Sequence, residues 1–157
     1  MNIDLGPGTP VLVVGAGIMG AGIAQVAAQA GHTVRLYDAR DGAAEAACAK
    51  LDLALEGLVA KGKLDADEAK TIVARIRPAG RLDDAAGVGL VVEAIIENAE
   101  AKRALFRELE AKVDARCVLA SNTSSISVNA LANGLKAPGR FVGMHFFNPV
   151  PLMKLVE

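Results

Sequence analysis

The chain has 157 residues, 52% of them hydrophobic and 22% charged, with a net charge of −1. That length allows one domain with a full core and excludes wholesale disorder. Balanced charge and 3% aromatic content, with no Trp, argue against nucleic acid or an anionic membrane as the main partner and against a stacking platform for single strands.

Leu5 to Val34 carries no charged side chain. It also holds Gly15, Gly17, Gly20, Gly22, Gln25 and Gln29, and Asp4 stands where a leader would have basic residues. The stretch therefore fits neither a secretory leader nor a membrane span. Cys48 and Cys117 lie far from each other and from any His at metal-ligand spacing, which predicts two reduced thiols of a cytoplasmic protein and no metal site. The thirty alanines predict close helix packing.

In chain order, Val11-Leu12-Val13-Val14 is a β-branched run that stops at Gly15 and reads as a buried strand. A helix is expected from Ile18 to Ala30, closed by Gly31. Thr33 to Tyr37 is a second strand. Ala43 to Ala60 is helical, with Ala47, Leu51, Leu55 and Leu58 on one stripe, and Gly62 breaks it. Asp65 is placed to cap a helix running to about Arg77, with Glu68 at the capping-box position, and Pro78 and Gly80 end that element. A turn at Asp83–Gly87 precedes a strand over Leu90–Ile95. Then come a helix over Ala99–Val113, a strand over Cys117–Ala120, a helix over Val128–Leu135, a strand over Phe141–His145 and an extended run over Leu152–Val156. Strands alternating with helices predict an α/β, Rossmann-type, doubly wound and mostly parallel sheet. The helical pair between Ala43 and Arg77 reads as an insertion in the roughly 50 residues that separate the second strand from the one at Leu90. One domain is expected over residues 1–157.

Gly15-Ala16-Gly17-Ile18-Met19-Gly20 is a GxGxxG between a predicted strand and a predicted helix, 18 residues before Asp38 at the end of the second strand. That context is the dinucleotide fingerprint. Gly15 allows the turn, Gly17 lets the backbone approach a pyrophosphate, and Gly20 lets the helix pack on the sheet. Asp38 would accept ribose hydroxyls and repel a 2′-phosphate, favouring NAD over NADP, while Arg40 close by weakens that preference slightly. A ligand-free glycine turn and an FAD site are the other readings of the motif.

Ligands of such sheets bind beyond the carboxyl ends of the strands. Glu97, Asn98, Ser121, Asn122, Ser124 and His145 fall there. Ser125 and Ser127 are equally well explained as helix caps. Asn122 and Ser124, directly after a strand, are better candidates for function. His145 in the apolar run Met144–Phe147 reads from pattern alone either as a core residue or as a catalytic one, and His32 reads as a turn residue. If the last two strands pair, Glu157 returns beside His145.

These residues resemble a known family. Gly15–Gly20, Val92-Glu93-Ala94-Ile95-Ile96-Glu97-Asn98, Ser121–Ser125 and the long run His145–Glu157 are similar to the L-3-hydroxyacyl-CoA dehydrogenases, including the 3-hydroxybutyryl-CoA dehydrogenases, from about Pro10 onward. The resemblance implies an NAD-dependent oxidoreductase that converts (S)-3-hydroxyacyl-CoA to 3-oxoacyl-CoA in β-oxidation, butyrate or phenylacetate-type metabolism. It implies a catalytic dyad of His145 and Glu157 assisted by Ser124. Cofactor contacts carried over are Gly15, Gly17, Ile18, Met19, Gly20, Asp38, Glu97, Lys102, Asn122, Ser124 and Asn148. Ser124 is also carried over as a substrate contact, together with Lys61, which matches a residue approaching the CoA phosphates. The helical pair holds fewer basic residues than in some members. In the family a helical second domain follows the Glu, closes over the substrate and carries most of a homodimer contact. This chain stops at Glu157 and so looks like the isolated NAD-binding domain, expected to fold and bind NAD with little turnover of its own. The competing readings are an inactive NAD-binding module and a crystallin-like structural protein.

Overall fold

The computed structural model describes residues 5–157, so Asp4 lies outside the described residues. Its centre is β1 (Val11–Val14), four apolar residues each at most 2% exposed. Burial on both faces is what a continuous apolar run in a parallel sheet requires. Five further strands pair around it: β2 (Val34–Tyr37), β3 (Ile76–Ala79), β4 (Leu90–Glu93), β5 (Val118–Ser121) and β6 (Phe141–Gly143). The order is β3-β2-β1-β4-β5-β6 and every pairing is parallel. The strand order reverses between β1 and β4, which is where such sheets bind ligands.

Alternating side chains divide the core into two layers. Val11, Val13 and Leu36 face α1 (Ile18–Gln29), α2 (Ala43–Ala60) and α3 (Ala66–Arg75), with Ile23, Leu51, Leu55 and Ile72 filling the layer. Leu12, Val14, Val91 and Leu119 face the opposite side, where Phe106 and Leu109 of α4 (Ala99–Lys112) and Leu82 of a short 3-10 turn complete the core. Phe106 meets Phe141 edge-on with ring centroids 4.6 Å apart. A one-turn helix, α5 (Val128–Ala132), lies near α4.

The helix ends follow local chemistry. Asp65 accepts from the N–H groups of Asp67 and Glu68 and starts α3. Gly31, at φ +101°, and His32 donate back to Ala28 and Ala27 and close α1. Arg75 donates to the Ala28 carbonyl at 2.8 Å, so the last turn of α3 also ties off α1.

Several expected boundaries move. The helix expected to reach Arg77 ends at Arg75, and residues 76–79 form the edge strand β3 beside β2. Pro78 reads as a helix stop, but on an edge strand its missing N–H costs no ladder bond. The helical pair is therefore the crossover from β2 to β3. β4 stops at Glu93, α5 at Ala132 and β6 at Gly143. Of the extended run at 152–156, only a single antiparallel bridge, Phe146 to Val156, is formed. Among the described residues, no helix is long and apolar enough to cross a membrane. Cys48 and Cys117 are free thiols, and burial pushes the Cys117 thiol up to about 11.

Gly20 shows how tightly the first turn is built. A Cβ there would sit 1.6 Å from the Gly15 carbonyl oxygen. Backbone cannot step aside as a side chain can, so Gly20→Ala is expected to cost about 2–3 kcal/mol. Urea unfolding followed by circular dichroism measures it.

Candidate dinucleotide and catalytic site

The turn after β1 has three glycines with three different tasks. Gly15, at φ +105°, comes so near β4 that a Cβ would lie 2.4 Å from the Ala94 carbonyl oxygen. Gly20 packs on Gly15. Gly17 is the N-cap of α1, with no side-chain cap, and a Cβ there would meet nothing within 4 Å. Free N–H groups at the start of α1, open space before them and no acidic residue in the first turn suit a pyrophosphate. The residues present fit the cofactor.

Asp38 is the first residue after β2. Its Oδ2 accepts the Ala16 N–H at 2.8 Å and its Oδ1 accepts the Arg40 N–H at 2.9 Å. The Arg40 side chain grips the same carboxylate with both arms, Nε on Oδ1 at 2.9 Å and Nη2 on Oδ2 at 3.0 Å. The Arg40 guanidinium holds the Asp38 carboxyl far below the usual carboxylate range; burial opposes this and the Ala16 N–H adds to it.

A cleft of about 600 Å³ opens from this turn between α1 and α2 and is closed by the 148–151 loop. Gly17, Ile18, Arg40, Lys50 and Asn148 are among its walls. The loop sits directly on α1, because a Cβ at Gly22 would lie 2.8 Å from Val150 Cβ. Lys61, at the C-cap of α2, is exposed and is not part of this lining.

The carboxyl ends of β4 and β5 hold a buried polar group. Glu93 is fully buried and Lys102, reaching in from α4, is 1% exposed. Their ion pair is 2.5 Å long. Glu93 also accepts from the Ile95 N–H at 2.7 Å and from Ser121 Oγ at 2.6 Å. Lys102 Nζ reaches Glu97 at 3.6 Å, and Thr123 Oγ1 donates to the same carboxylate. Burial pushes the Glu97 carboxyl up, but Thr123, the Lys102 charge and Ser125 together bring it below its usual value. Glu97 thus stays anionic at the mouth of the site, its side chain 40% exposed. Asn98 caps α4 by accepting the Ala101 N–H.

His145 follows β6. It exchanges both backbone hydrogen bonds with Glu157, at 2.8 and 3.0 Å, and its Nδ1 stands 3.4 Å from Glu157 Oε2. Phe147 flanks the ring at 4.6 Å. Asn122 Oδ1 accepts the Phe146 N–H at 2.9 Å and so fixes the segment next to His145 against the end of β5. Ser124 is exposed in the loop after β5. His32 binds the Thr9 carbonyl through Nδ1 on the far side of the chain's first turn, a structural contact.

The structure thus brings together Gly15–Gly20 with Asp38, Glu97 with Lys102, Asn122 with Phe146 beside His145, and His145 with Glu157. Sequence reasoning missed Glu93, Thr123, Gly22 and Lys50. An acidic residue inside the apolar run Leu90–Ile95, nine positions before Lys102, was the available signal for Glu93.

Comparison with known proteins agrees with this geometry. Residues 10–157 match the family described as 3-hydroxyacyl-CoA dehydrogenase, NAD binding domain. A probable 3-hydroxybutyryl-CoA dehydrogenase of Bacillus subtilis (strain 168) is 45% identical over 147 residues, 94% of this chain and 51% of the relative. The 3-hydroxyadipyl-CoA dehydrogenase of Escherichia coli (strain K12) is 44% identical, over 94% of this chain and 31% of its own length. The crystal structure of 3-hydroxybutyryl-CoA dehydrogenase from Escherichia coli K12 superposes with a TM-score of 0.92 at 42% identity, covering 99% of this chain and 32% of that one. The chain spans about half the length of the two probable 3-hydroxybutyryl-CoA dehydrogenases it matches, from Bacillus subtilis and Deinococcus radiodurans, and about a third of the Escherichia coli proteins. With the glycine turn, the Asp38 carboxylate and a match over nearly all its residues, the chain belongs to the 3-hydroxyacyl-CoA dehydrogenase family, of which it is the NAD-binding domain.

Proposed function

We propose that this chain is the NAD-binding half of an enzyme that oxidises (S)-3-hydroxyacyl-CoA to 3-oxoacyl-CoA. The observation that carries the reading is the pairing of His145 with Glu157 at the carboxyl edge of the sheet that holds the glycine turn. Gly15, Gly17 and Gly20, with Ile18 and Met19 opening α1, hold the pyrophosphate. Asp38 holds the adenosine ribose, and Glu97, Asn122, Ser124 and Asn148 line the nicotinamide end. Lys102, buried against Glu93, acts on the cofactor through Glu97. When bound, NAD supplies the hydride acceptor.

Nδ1 of His145 faces Glu157, so Nε2 takes the proton of the substrate 3-hydroxyl. Glu157 orients the ring and stabilises the imidazolium that forms when the proton is taken. Ser124 donates to the substrate oxygen, and Lys61 approaches the CoA phosphates. The other half of the longer relatives is the source of the cover over the substrate and of the family's dimer contact. Exposed Leu152 and Leu155 in the last segment support such a cover. We place the protein in the cytoplasm, in keeping with its free thiols.

Calorimetric titration of the chain with NADH and NADPH tests the cofactor assignment. NADH is expected to bind more tightly, and equal or tighter NADPH binding would remove the role given to Asp38. Asp38→Ala is expected to weaken NADH by about 1.5–3 kcal/mol, the usual worth of hydrogen bonds to a charged group. Turnover is tested with acetoacetyl-CoA and NADH. The chain alone is expected to show little, because water would screen the charge His145 develops on an uncovered surface.

A further inference from the structure

The Asp38 carboxylate has room for about four donors, and four N–H groups already occupy it. Two belong to the backbone, at Ala16 and Arg40, and are fixed by the fold. The other two belong to the Arg40 guanidinium, whose side chain is 73% exposed. An exposed ion pair of this kind is cheap to break, so Arg40 is the partner that yields when a ribose diol approaches. Arg40 then stands beside the ribose, on the wall of the cleft it shares with Gly17 and with Ala43 of α2. Gly42, just before α2, bears no side chain to crowd that space.

We propose that Arg40 is a cofactor-specificity residue, whose guanidinium fork transfers from Asp38 to the 2′-phosphate of NADP(H), making NADP(H) a weaker second cofactor of this chain. The proposal rests on the dinucleotide reading of the Gly15–Gly20 turn. A bare aspartate would exclude a 2′-phosphate by charge. Here a cationic planar fork that matches phosphate oxygens as well as carboxylate oxygens stands beside that carboxylate and offsets part of the repulsion. The same residue has opposite effects on the two cofactors. It competes with the NAD ribose for Asp38 and attracts the NADP phosphate.

The test is a pair of dissociation constants, NADH and NADPH, read from nicotinamide fluorescence on the chain, on Arg40→Gln and on Arg40→Lys. For the unsubstituted chain NADPH binding is expected to be measurable and weaker than NADH. In Arg40→Gln, NADPH is expected to weaken by about tenfold or more, the loss of one charge-assisted fork, while NADH stays the same or tightens. Arg40→Lys, which keeps the charge and loses the fork, is expected to fall between them. An unchanged NADPH-to-NADH ratio in Arg40→Gln, or a parallel loss of both, overturns the proposal while leaving the dinucleotide reading in place. Failure of the unsubstituted chain to bind NADH overturns that reading, and the proposal with it.

Discussion

Lys102→Met is expected to lower the free energy of unfolding by about 3–5 kcal/mol, the cost of leaving one member of a buried ion pair without its partner. The ammonium is 1% exposed and sits 2.5 Å from a fully buried carboxylate. Met has nearly the same length, so packing survives and the charge does not. Glu93 would keep the Ile95 N–H and the Ser121 hydroxyl but lose the only cation it pairs with among the described residues. The neighbouring Glu97 would lose its cation as well. Urea unfolding at neutral pH measures the loss. Adding Glu93→Gln to Lys102→Met removes the orphaned charge and is expected to recover part of it. A loss below about 1 kcal/mol, the scale of an exposed pair, would show that the pair is not sealed from water.

His145→Gln, in the enzyme that carries this domain, is expected to cut turnover by about 10²–10⁴, the usual scale of general acid–base catalysis, with NADH affinity nearly unchanged. Gln is close to the imidazole in reach and preserves the backbone exchange with Glu157, which involves no side chain. What would disappear is the group proposed to accept the proton as hydride leaves. Steady-state rates with 3-hydroxybutyryl-CoA, beside NADH titration of the same variant, separate the two effects. A variant that keeps most of its turnover would place the base elsewhere.

Residues with a backbone task were legible in the sequence. Gly15 and Gly20 answer to contacts that only glycine allows, and Asp38 lies at the spacing the strand–turn–helix unit dictates. β1 was legible because four apolar residues in a row leave no face for water. β3 was not, since Pro78 speaks against a strand everywhere except at a sheet edge, and edge position is a property of the whole topology. The buried pair was half legible. Lys102 stood out through family resemblance, but its burial against Glu93 depends on how α4 returns across β4, which no local pattern encodes. The grip of Arg40 on Asp38 was foreshadowed only as proximity. His145 was a candidate by its place at a strand end, stayed open between core and catalytic readings from its apolar neighbours, and was given the catalytic one through the long run that ends at Glu157.

The contact of Gly22 with Val150 has a consequence for the order of assembly. It joins residues 128 positions apart and so closes a long loop. Contacts of that separation form late, because the entropy of closing the loop is lost before anything is gained from it. On a ribosome, β1, α1 and the glycine turn leave the exit tunnel long before residue 150 does. During that interval the outer flank of α1 has no cover. The same stretch carries His145 and the loop that covers this flank, so completing the cofactor cleft and placing His145 are one folding event. A nascent chain that has the fingerprint does not yet have the pocket.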